Sequence, residues 1–242
     1  WLGNSPIAGK SILVQWEQGL GDAIQFCRYC RELAAAGAKV VLEAPAALFR
    51  IFERLQGADR IVKHGDKPPE VDFQIPMLSL PFAFRTQYGS IPKQQRYLSA
   101  SSITVARWRE KLGAGVRPRV GIVWSGAAGH ANDRNRSLAL KDLLPHLPDG
   151  AEYFSLQDNV RSTDDEALRN SGLQDFRGDL VDFEETAGLV DLMDLVISVD
   201  TSVAHLAGAL GKPTWVLLPY LLLFYLFLLN DLYYNTFLYL NK

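Results

Sequence analysis

This chain of 242 residues has a small net charge and few cysteines and histidines. The low charge disfavours nucleic-acid-binding proteins, and the few cysteines and histidines disfavour metal-binding proteins. The formal net charge is −2, so composition gives no reason to expect nucleic acid or an anionic membrane as a partner. Cys27 and Cys30 form a C-x-x-C inside a predicted helix. No second Cys or His pair is spaced to complete a zinc site, and a redox C-x-x-C lies at a helix start. We therefore expect two buried thiols, no bound metal and a cytoplasmic protein.

Long hydrophobic runs are also rare. Residues 215–229 are apolar throughout, but they include Pro219 and fall short of the roughly 20 residues that a membrane span needs. We expect a buried strand followed by a hydrophobic helix, with a membrane segment as the alternative. Residues 221–242 use only Leu, Phe, Tyr, Asn, Asp, Thr and Lys, so this stretch is unreliable for function and we place no functional residue after Tyr220. Since Trp1 is not an initiator, we expect the chain to be a fragment.

Short apolar runs alternate with amphipathic stretches twice along the chain, on either side of a spacer at residues 113–118. This alternation predicts an α/β fold, with two Rossmann-like parallel-sheet domains over 1–113 and 114–242 that face a cleft. The predicted strands are 11–16, 39–43, 60–62, 72–75, 119–124, 152–156, 195–199 and 214–218. The predicted helices are 22–36, 46–55, 103–112, 138–144, 163–170, 183–191 (capped by Asp182) and 203–210.

The stretch 195–213, LVISVDTSVAHLAGALGKP, is a predicted strand that runs directly into a predicted helix. Asp200, Thr201 and Ser202 lie at the junction, where the unpaired N–H groups of the helix start favour an anion. His205, one turn later, can face the same place. We interpret these residues as a phosphate or diphosphate site. The alternative is that Asp200 or Thr201 is only an N-cap and His205 only a core residue.

A glycine-containing turn, Gln18-Gly19-Leu20-Gly21-Asp22, follows the first strand. Glycine lets the backbone turn sharply and approach a ligand, and a carboxylate there can act as a general base. The alternative is that Asp22 is an N-cap. A dinucleotide site would also need a third glycine where Ile24 stands, although Glu43 is placed where a ribose-binding acid could sit.

A second loop, residues 123–137, follows the strand at 119–124 and carries Ser125, Gly126 and two arginines, Arg134 and Arg136. Guanidinium groups bind phosphate through paired hydrogen bonds, and in an extended loop both arginines could face the same way. The alternative is a solvated loop paired with acidic neighbours. Gln157, at another strand end, could read a base or a ribose. Because parallel strands end at one edge of a sheet, we expect these groups to converge with Asp200–Ser202.

Four segments together resemble a known group: EQGLGDAIQFCRY (17–29), GIVWSG with DRNRS (121–137), FSLQ (154–157) and ISVDTSVAHLAGALGKPTWVLLP (197–219). They are similar to bacterial glycosyltransferases that follow tetratricopeptide repeats. That group is related to the heptosyltransferases of family 9 and, more distantly, to the O-linked N-acetylglucosamine transferases of family 41. The resemblance implies a GT-B fold, with an N-terminal acceptor domain and a C-terminal donor domain.

The resemblance also implies inverting sugar transfer from a nucleotide-diphosphate sugar, with no cofactor and no metal. By matching motif positions, Asp22 would be the general base, Arg136 would neutralise the diphosphate and Gln157 would lie near the nucleoside. The turn at 18–21 would lie on the acceptor side. The phosphates would be held by Thr201, Ser202 and His205, beside Ser125, Gly126 and Asp200.

Three functional hypotheses follow from the sequence. The leading one is a sugar transferase, and the second is a non-catalytic binding module of the same fold beside upstream repeats. The third, a nicotinamide oxidoreductase, is disfavoured by Ile24. The nucleotide base, the sugar and the acceptor stay open, the acceptor being a saccharide, a lipid-linked saccharide or a protein.

Overall fold

A computed structural model describes residues 1–129 and 131–218 of the chain. These residues form two compact units. The first contains Trp1–Ser99 and Ala209–Gly211, and the second contains Ala100–Gly208 and the described residues after Gly211. The hydrophobic helix and the membrane alternative proposed for the C-terminal stretch lie outside the described residues from 219 onward.

The first unit is built on a four-stranded parallel sheet in the order β3-β2-β1-β4. Its central strand is buried on both faces, as its continuous apolar run SILVQ requires in a parallel sheet. Ile12 and Val14 are fully buried, and Ile12 is in register with Val40 and Phe73. The strands are β1 (Ser11–Gln15), β2 (Lys39–Ala44), β3 (Arg60–Lys63) and β4 (Phe73–Pro76).

The helix predicted over 22–36 begins earlier, at Leu20, and is interrupted by a 3-10 turn at Cys27–Tyr29. Cys27 and Cys30 are unpaired and fully buried, which confirms the expectation of two buried thiols. Burial raises the pKa of the Cys30 thiol to about 12, and it also raises the pKa of Cys27. The helices of this unit are α1 (Leu20–Phe26), α2 (Cys30–Ala35), α3 (Phe49–Phe52) and α4 (Leu80–Ala83), with further 3-10 turns at Ala46–Leu48, Met77–Ser79 and Tyr88–Ser90.

The second unit holds a five-stranded parallel sheet in the order β7-β6-β5-β8-β9. The two parallel sheets confirm the predicted α/β class. The edge strand β7 was not predicted, because two residues carry no periodic pattern. The strands are β5 (Arg119–Val123), β6 (Glu152–Ser155), β7 (Gln174–Asp175), β8 (Leu195–Val199) and β9 (Thr214–Leu217).

Two long helices pack together in the second unit, α5 (Ser102–Leu112) and α9 (Phe183–Val190). Asp182 caps α9 by accepting a hydrogen bond from the Glu185 N–H, as predicted. Because α5 packs on α9, the structure places the boundary between units after Ser99, whereas the sequence suggests residue 113. The other helices are α6 (Asp133–Arg136), α7 (Leu140–Leu143), α8 (Asp165–Asn170) and α10 (Ser202–Ala209), with a 3-10 turn at Leu144–His146.

The short helix α6 replaces the extended loop that the sequence suggests around Arg134 and Arg136. The Ser137 N–H donates to the Asp133 carbonyl at 2.9 Å, and the Ser137 hydroxyl donates to the Asp133 carboxylate at 2.6 Å. These two bonds close a helical turn, so residues two apart do not share a face. The expectation that both arginines face one way is therefore wrong.

No helix in the described ranges is long and apolar enough to cross a membrane.

The buried carboxylate of Asp164 links two elements of the second core. It accepts hydrogen bonds from the Trp124 indole N–H and from the Leu140 backbone N–H, each at 3.0 Å. Trp124 is fully buried at the end of β5, and Leu140 begins α7. Asp164 thereby satisfies two donors that water cannot reach.

We expect Asp164→Ala to lower the free energy of unfolding by about 2 to 4 kcal/mol, because both buried donors lose their acceptor. Urea unfolding followed by tryptophan fluorescence measures the change. Asp158→Ala, at an exposed position of the same loop, should leave stability within about 0.5 kcal/mol. Equal stability of the Asp164 variant and the wild type would contradict this role.

Candidate functional site

Three of the predicted motifs meet at the carboxyl edge of the second sheet. β5 leads into Ser125 and Gly126, β6 leads towards Gln157, and β8 leads into Asp200 and Thr201. Strands β6, β5 and β8 are neighbours and run parallel, so these residues follow adjacent strand ends. In open α/β sheets this edge is where ligands bind.

Gln157 is buried, and both ends of its amide are occupied within the protein. The side-chain oxygen accepts from the backbone N–H groups of Trp124 and Ser125, at 3.1 and 3.0 Å. The side-chain nitrogen donates to the Ser125 hydroxyl at 3.2 Å and to the Asn159 carbonyl at 3.0 Å. Gln157 therefore fastens the ends of β5 and β6 together, and any ligand contact would have to replace one of these bonds.

Arg136 reaches from α6 to the end of β8. Its Nη1 donates to the Asp200 carbonyl at 3.0 Å, and its guanidinium lies against Gly126. A Cβ added to Gly126 would come within 2.6 Å of Arg136 Nη2, so Arg136 can take this position only because residue 126 is glycine. Arg134, on the same short helix, is exposed.

Arg161 is a charged residue at this edge that the sequence analysis does not single out. Its Nη2 donates to the Asp133 carboxylate at 2.5 Å, to the Ser137 hydroxyl at 3.1 Å and to the Gly126 carbonyl at 3.3 Å. Desolvation raises the pKa of Asp133, but the Ser137 hydrogen bond and the charges of Arg161 and Arg136 together lower it below its usual value. In the sequence, Arg161 could have been found as the basic residue in the loop that follows Gln157.

The junction between β8 and α10 has the predicted form of a strand that feeds a helix. The Thr201 carbonyl accepts from the Ala204 N–H at 3.1 Å and from the His205 N–H at 3.4 Å, which starts the helix. The Thr201 hydroxyl lies 3.1 Å from the Ser198 hydroxyl. Ser202 is the first residue of α10 and His205 lies one turn along it, both half-buried.

In the first unit, residues 16–19 connect β1 to α1, and Asp22 lies in the first turn of α1. Gly19 occupies the N-cap position with φ of 61°, so the interpretation of Asp22 as an N-cap is wrong. The half-buried Asp22 carboxylate lies where a Cβ on Gly19 would be. Within the described residues this carboxylate forms no hydrogen bond or ion pair. Gln18 is exposed and Gly21 is half-buried.

Glu43 is engaged within the first unit. Its carboxylate accepts from the Trp16 N–H at 3.2 Å and contacts His64 Nδ1 at 2.8 Å, so it joins the ends of β1 and β3. Ile24 is fully buried in α1, where a dinucleotide site needs glycine. Both observations disfavour the oxidoreductase hypothesis.

Across residues 1–129 and 131–218, no group of three or more His, Cys, Asp or Glu side chains is arranged to hold a metal ion.

The segment around α10 is similar to a known protein family. Residues 180–217 match the profile of glycosyltransferase family 9 (heptosyltransferase). These residues run from just before α9 to the end of β9 and so include Asp200, Thr201, Ser202 and His205.

One curated relative, Protein FlbA of Caulobacter vibrioides, is 25% identical over 248 residues. The alignment covers 90% of this chain but only 40% of the relative, so the chain spans well under half of that protein.

Solved structures share the fold at low sequence identity. The family 9 glycosyl transferase from Veillonella parvula superposes with a TM-score of 0.65 at 12% identity, over 89% of this chain and 82% of that one. The dodecameric, iron-containing heptosyltransferase TibC of Escherichia coli, in complex with ADP-D-beta-D-heptose, gives 0.61 at 13% identity, over 88% and 60%. The chain thus has the α/β fold of GT-B-type glycosyltransferases, and its residues 180–217 are similar to the corresponding part of glycosyltransferase family 9 (heptosyltransferase).

Proposed function

We propose that this chain is the catalytic region of a glycosyltransferase that moves a sugar from a nucleotide-diphosphate sugar to an acceptor hydroxyl, by metal-independent inverting transfer. The proposal rests on one observation: the residues that match the family 9 profile include the β8–α10 junction, to which Arg136 is hydrogen-bonded. Independent arguments from sequence similarity and from charge therefore indicate the same few residues.

Donor binding needs positive charge, since a nucleoside diphosphate leaves as an anion. Arg136 supplies a full charge, and the first N–H groups of α10 add partial charge beside Thr201 and Ser202. The proposed donor site consists of Ser125, Gly126, Arg136, Gln157, Asp200, Thr201, Ser202 and His205. In this proposed site Gln157 lies near the nucleoside and acts by holding the backbone of Trp124 and Ser125 in place.

Acceptor activation needs a base. In the proposed reaction the acceptor oxygen attacks the anomeric carbon from the face opposite the diphosphate, its proton passes to the Asp22 carboxylate, and the bond to the diphosphate breaks. The lack of any hydrogen bond or ion pair to Asp22 in the described residues leaves its lone pairs available for this proton. The turn of Gln18, Gly19 and Gly21 would present the carboxylate.

The identity of the donor is suggested by TibC, whose structure contains ADP-D-beta-D-heptose. ADP is therefore the first nucleotide to test, and we propose an ADP-linked hexose or heptose as the donor. We further propose a cytoplasmic protein with tetratricopeptide repeats upstream, in keeping with a relative much longer than this chain. The proposed acceptor is a saccharide, a lipid-linked saccharide or a protein.

Donor binding depends in this proposal on Arg136. Ligand at roughly a hundredfold above its Kd stabilises a protein by about 2.7 kcal/mol, which raises Tm by several degrees. In a thermal-shift screen of ADP, UDP, GDP and CMP, we expect one nucleoside diphosphate to raise the Tm of the wild type, and Arg136→Ala to abolish the rise. Arg134→Ala, on the exposed side of the same helix, should keep it. Loss of the shift in both variants, or in neither, would contradict the assignment.

Catalysis depends in this proposal on Asp22. We expect Asp22→Asn to slow sugar transfer about 100-fold or more while the nucleotide-induced Tm shift persists, because only the base is lost. Release of nucleoside diphosphate from the donor sugar measures turnover. If the wild type binds nucleotide but releases none from any donor sugar or acceptor mixture, the chain is instead a non-catalytic binding module.

Metal independence requires its own test, because TibC contains iron. We expect turnover in about 5 mM EDTA to stay within twofold of that in untreated buffer, since Arg136 and the start of α10 stabilise the leaving group. Loss of turnover in EDTA, with recovery on adding a divalent cation, would overturn this part of the proposal.

A further inference from the structure

Two guanidinium groups approach Gly126 at the end of β5. Arg136 lies against its Cα, with Nη2, Cζ and Nε within 2.7 Å of where a Cβ would stand. Arg161 donates from Nη2 to the Gly126 carbonyl at 3.3 Å. The two cations therefore converge on one residue of the edge to which the donor site is assigned.

Most N–H groups of these two arginines have no acceptor in the part of the chain that the structure describes. A guanidinium carries five N–H donors. Arg136 uses only Nη1, and Arg161 uses only Nη2. The Nε atom of each is buried without a hydrogen-bond partner among the described residues. Buried donors in native proteins are normally satisfied, so two such groups side by side indicate a ligand rich in acceptor oxygens.

Among the described residues, only one of these two guanidinium groups is ion-paired. Asp133 is the carboxylate that binds Arg161, and Ser137 shares it. Arg136 binds the Asp200 carbonyl rather than a carboxylate. Among the described residues Arg136 therefore forms no ion pair, and its guanidinium charge is available to an anion. Asp133 also fixes Arg161, whose side chain remains one-third exposed.

We propose that Arg161 binds the second phosphoryl group of the nucleoside diphosphate and so makes the site prefer a diphosphate over a monophosphate. This inference rests on the proposed donor function. Arg136 alone offers charge for one phosphoryl group, and Arg161, hydrogen-bonded to the Gly126 carbonyl, supplies charge for the next. Arg161 is thus a specificity-determining residue, with Asp133 and Ser137 as its positioning partners.

Isothermal titration of ADP and of AMP into the chain tests this role. The wild type should bind ADP more tightly than AMP. Arg161→Gln should weaken ADP binding about 10- to 100-fold while AMP binding changes less than about threefold, since a charge-assisted contact to one phosphoryl group is lost. Arg161→Lys should give an intermediate preference. Arg169→Gln, at an exposed position of α8, should match the wild type.

The outcomes separate the alternatives. Equal weakening of ADP and AMP by Arg161→Gln would mean that Arg161 only supports α6, and an unchanged ADP preference would mean that it does not contact the ligand; either overturns the inference alone. A wild type that binds ADP, UDP and GDP no better than orthophosphate would overturn the donor function as well.

A measurement on the wild type covers the case in which the Gln variant does not fold. Inorganic pyrophosphate should displace ADP at a concentration at least tenfold lower than orthophosphate, because two cations bind two phosphoryl groups. Equal potency of the two anions would contradict the role of Arg161.

Discussion

The side-chain amide of Gln157 is the constraint on which the proposed donor site depends. By pairing with the N–H groups of Trp124 and Ser125, it fixes where the chain leaves β5 and enters the loop. The Trp124 carbonyl is in turn held by the Leu138 N–H, so the loop returns to its starting strand after α6. That closure places Arg136 against Gly126 and within reach of Asp200. Removing the amide would release both strand ends, and the arginines would lose their fixed positions.

Much of this architecture follows from the sequence because parallel strands buried on both faces have continuous apolar runs. The runs at 11–16, 119–124 and 195–199 became β1, β5 and β8 with bounds shifted by at most one residue. The convergence of Ser125, Gln157 and Thr201 followed from the shared edge. Helix α6 could not be predicted from the sequence, because a one-turn helix stabilised by Asp133 and Ser137 is too short to show a periodic hydrophobic pattern. Arg161 was missed for a related reason: its meaning depends on contacts with residues 126, 133 and 137, which only the fold brings near.

Two of the predicted site residues have a different environment in the structure from the one that the sequence suggests. The sequence suggests that Gln157 binds the base or ribose of a ligand. In the structure its side chain instead holds the ends of β5 and β6 together, since its four hydrogen bonds are all to protein atoms. Asp22 is a half-buried carboxylate in the first turn of α1, where Gly19 already occupies the N-cap position, and this suits a base better than a helix cap.

The position of Trp124 gives the protein an optical property. Its indole is fully buried, bonded through its N–H to Asp164, and directly precedes Ser125 and Gly126 in the chain. Indole emission responds to the electric field across the ring as well as to water. The anion proposed to bind beside Gly126 would alter that field while the ring stays buried, whereas unfolding exposes the ring to solvent. We therefore expect ligand binding and unfolding to change the emission of Trp124, one of five tryptophans in the chain, in different ways.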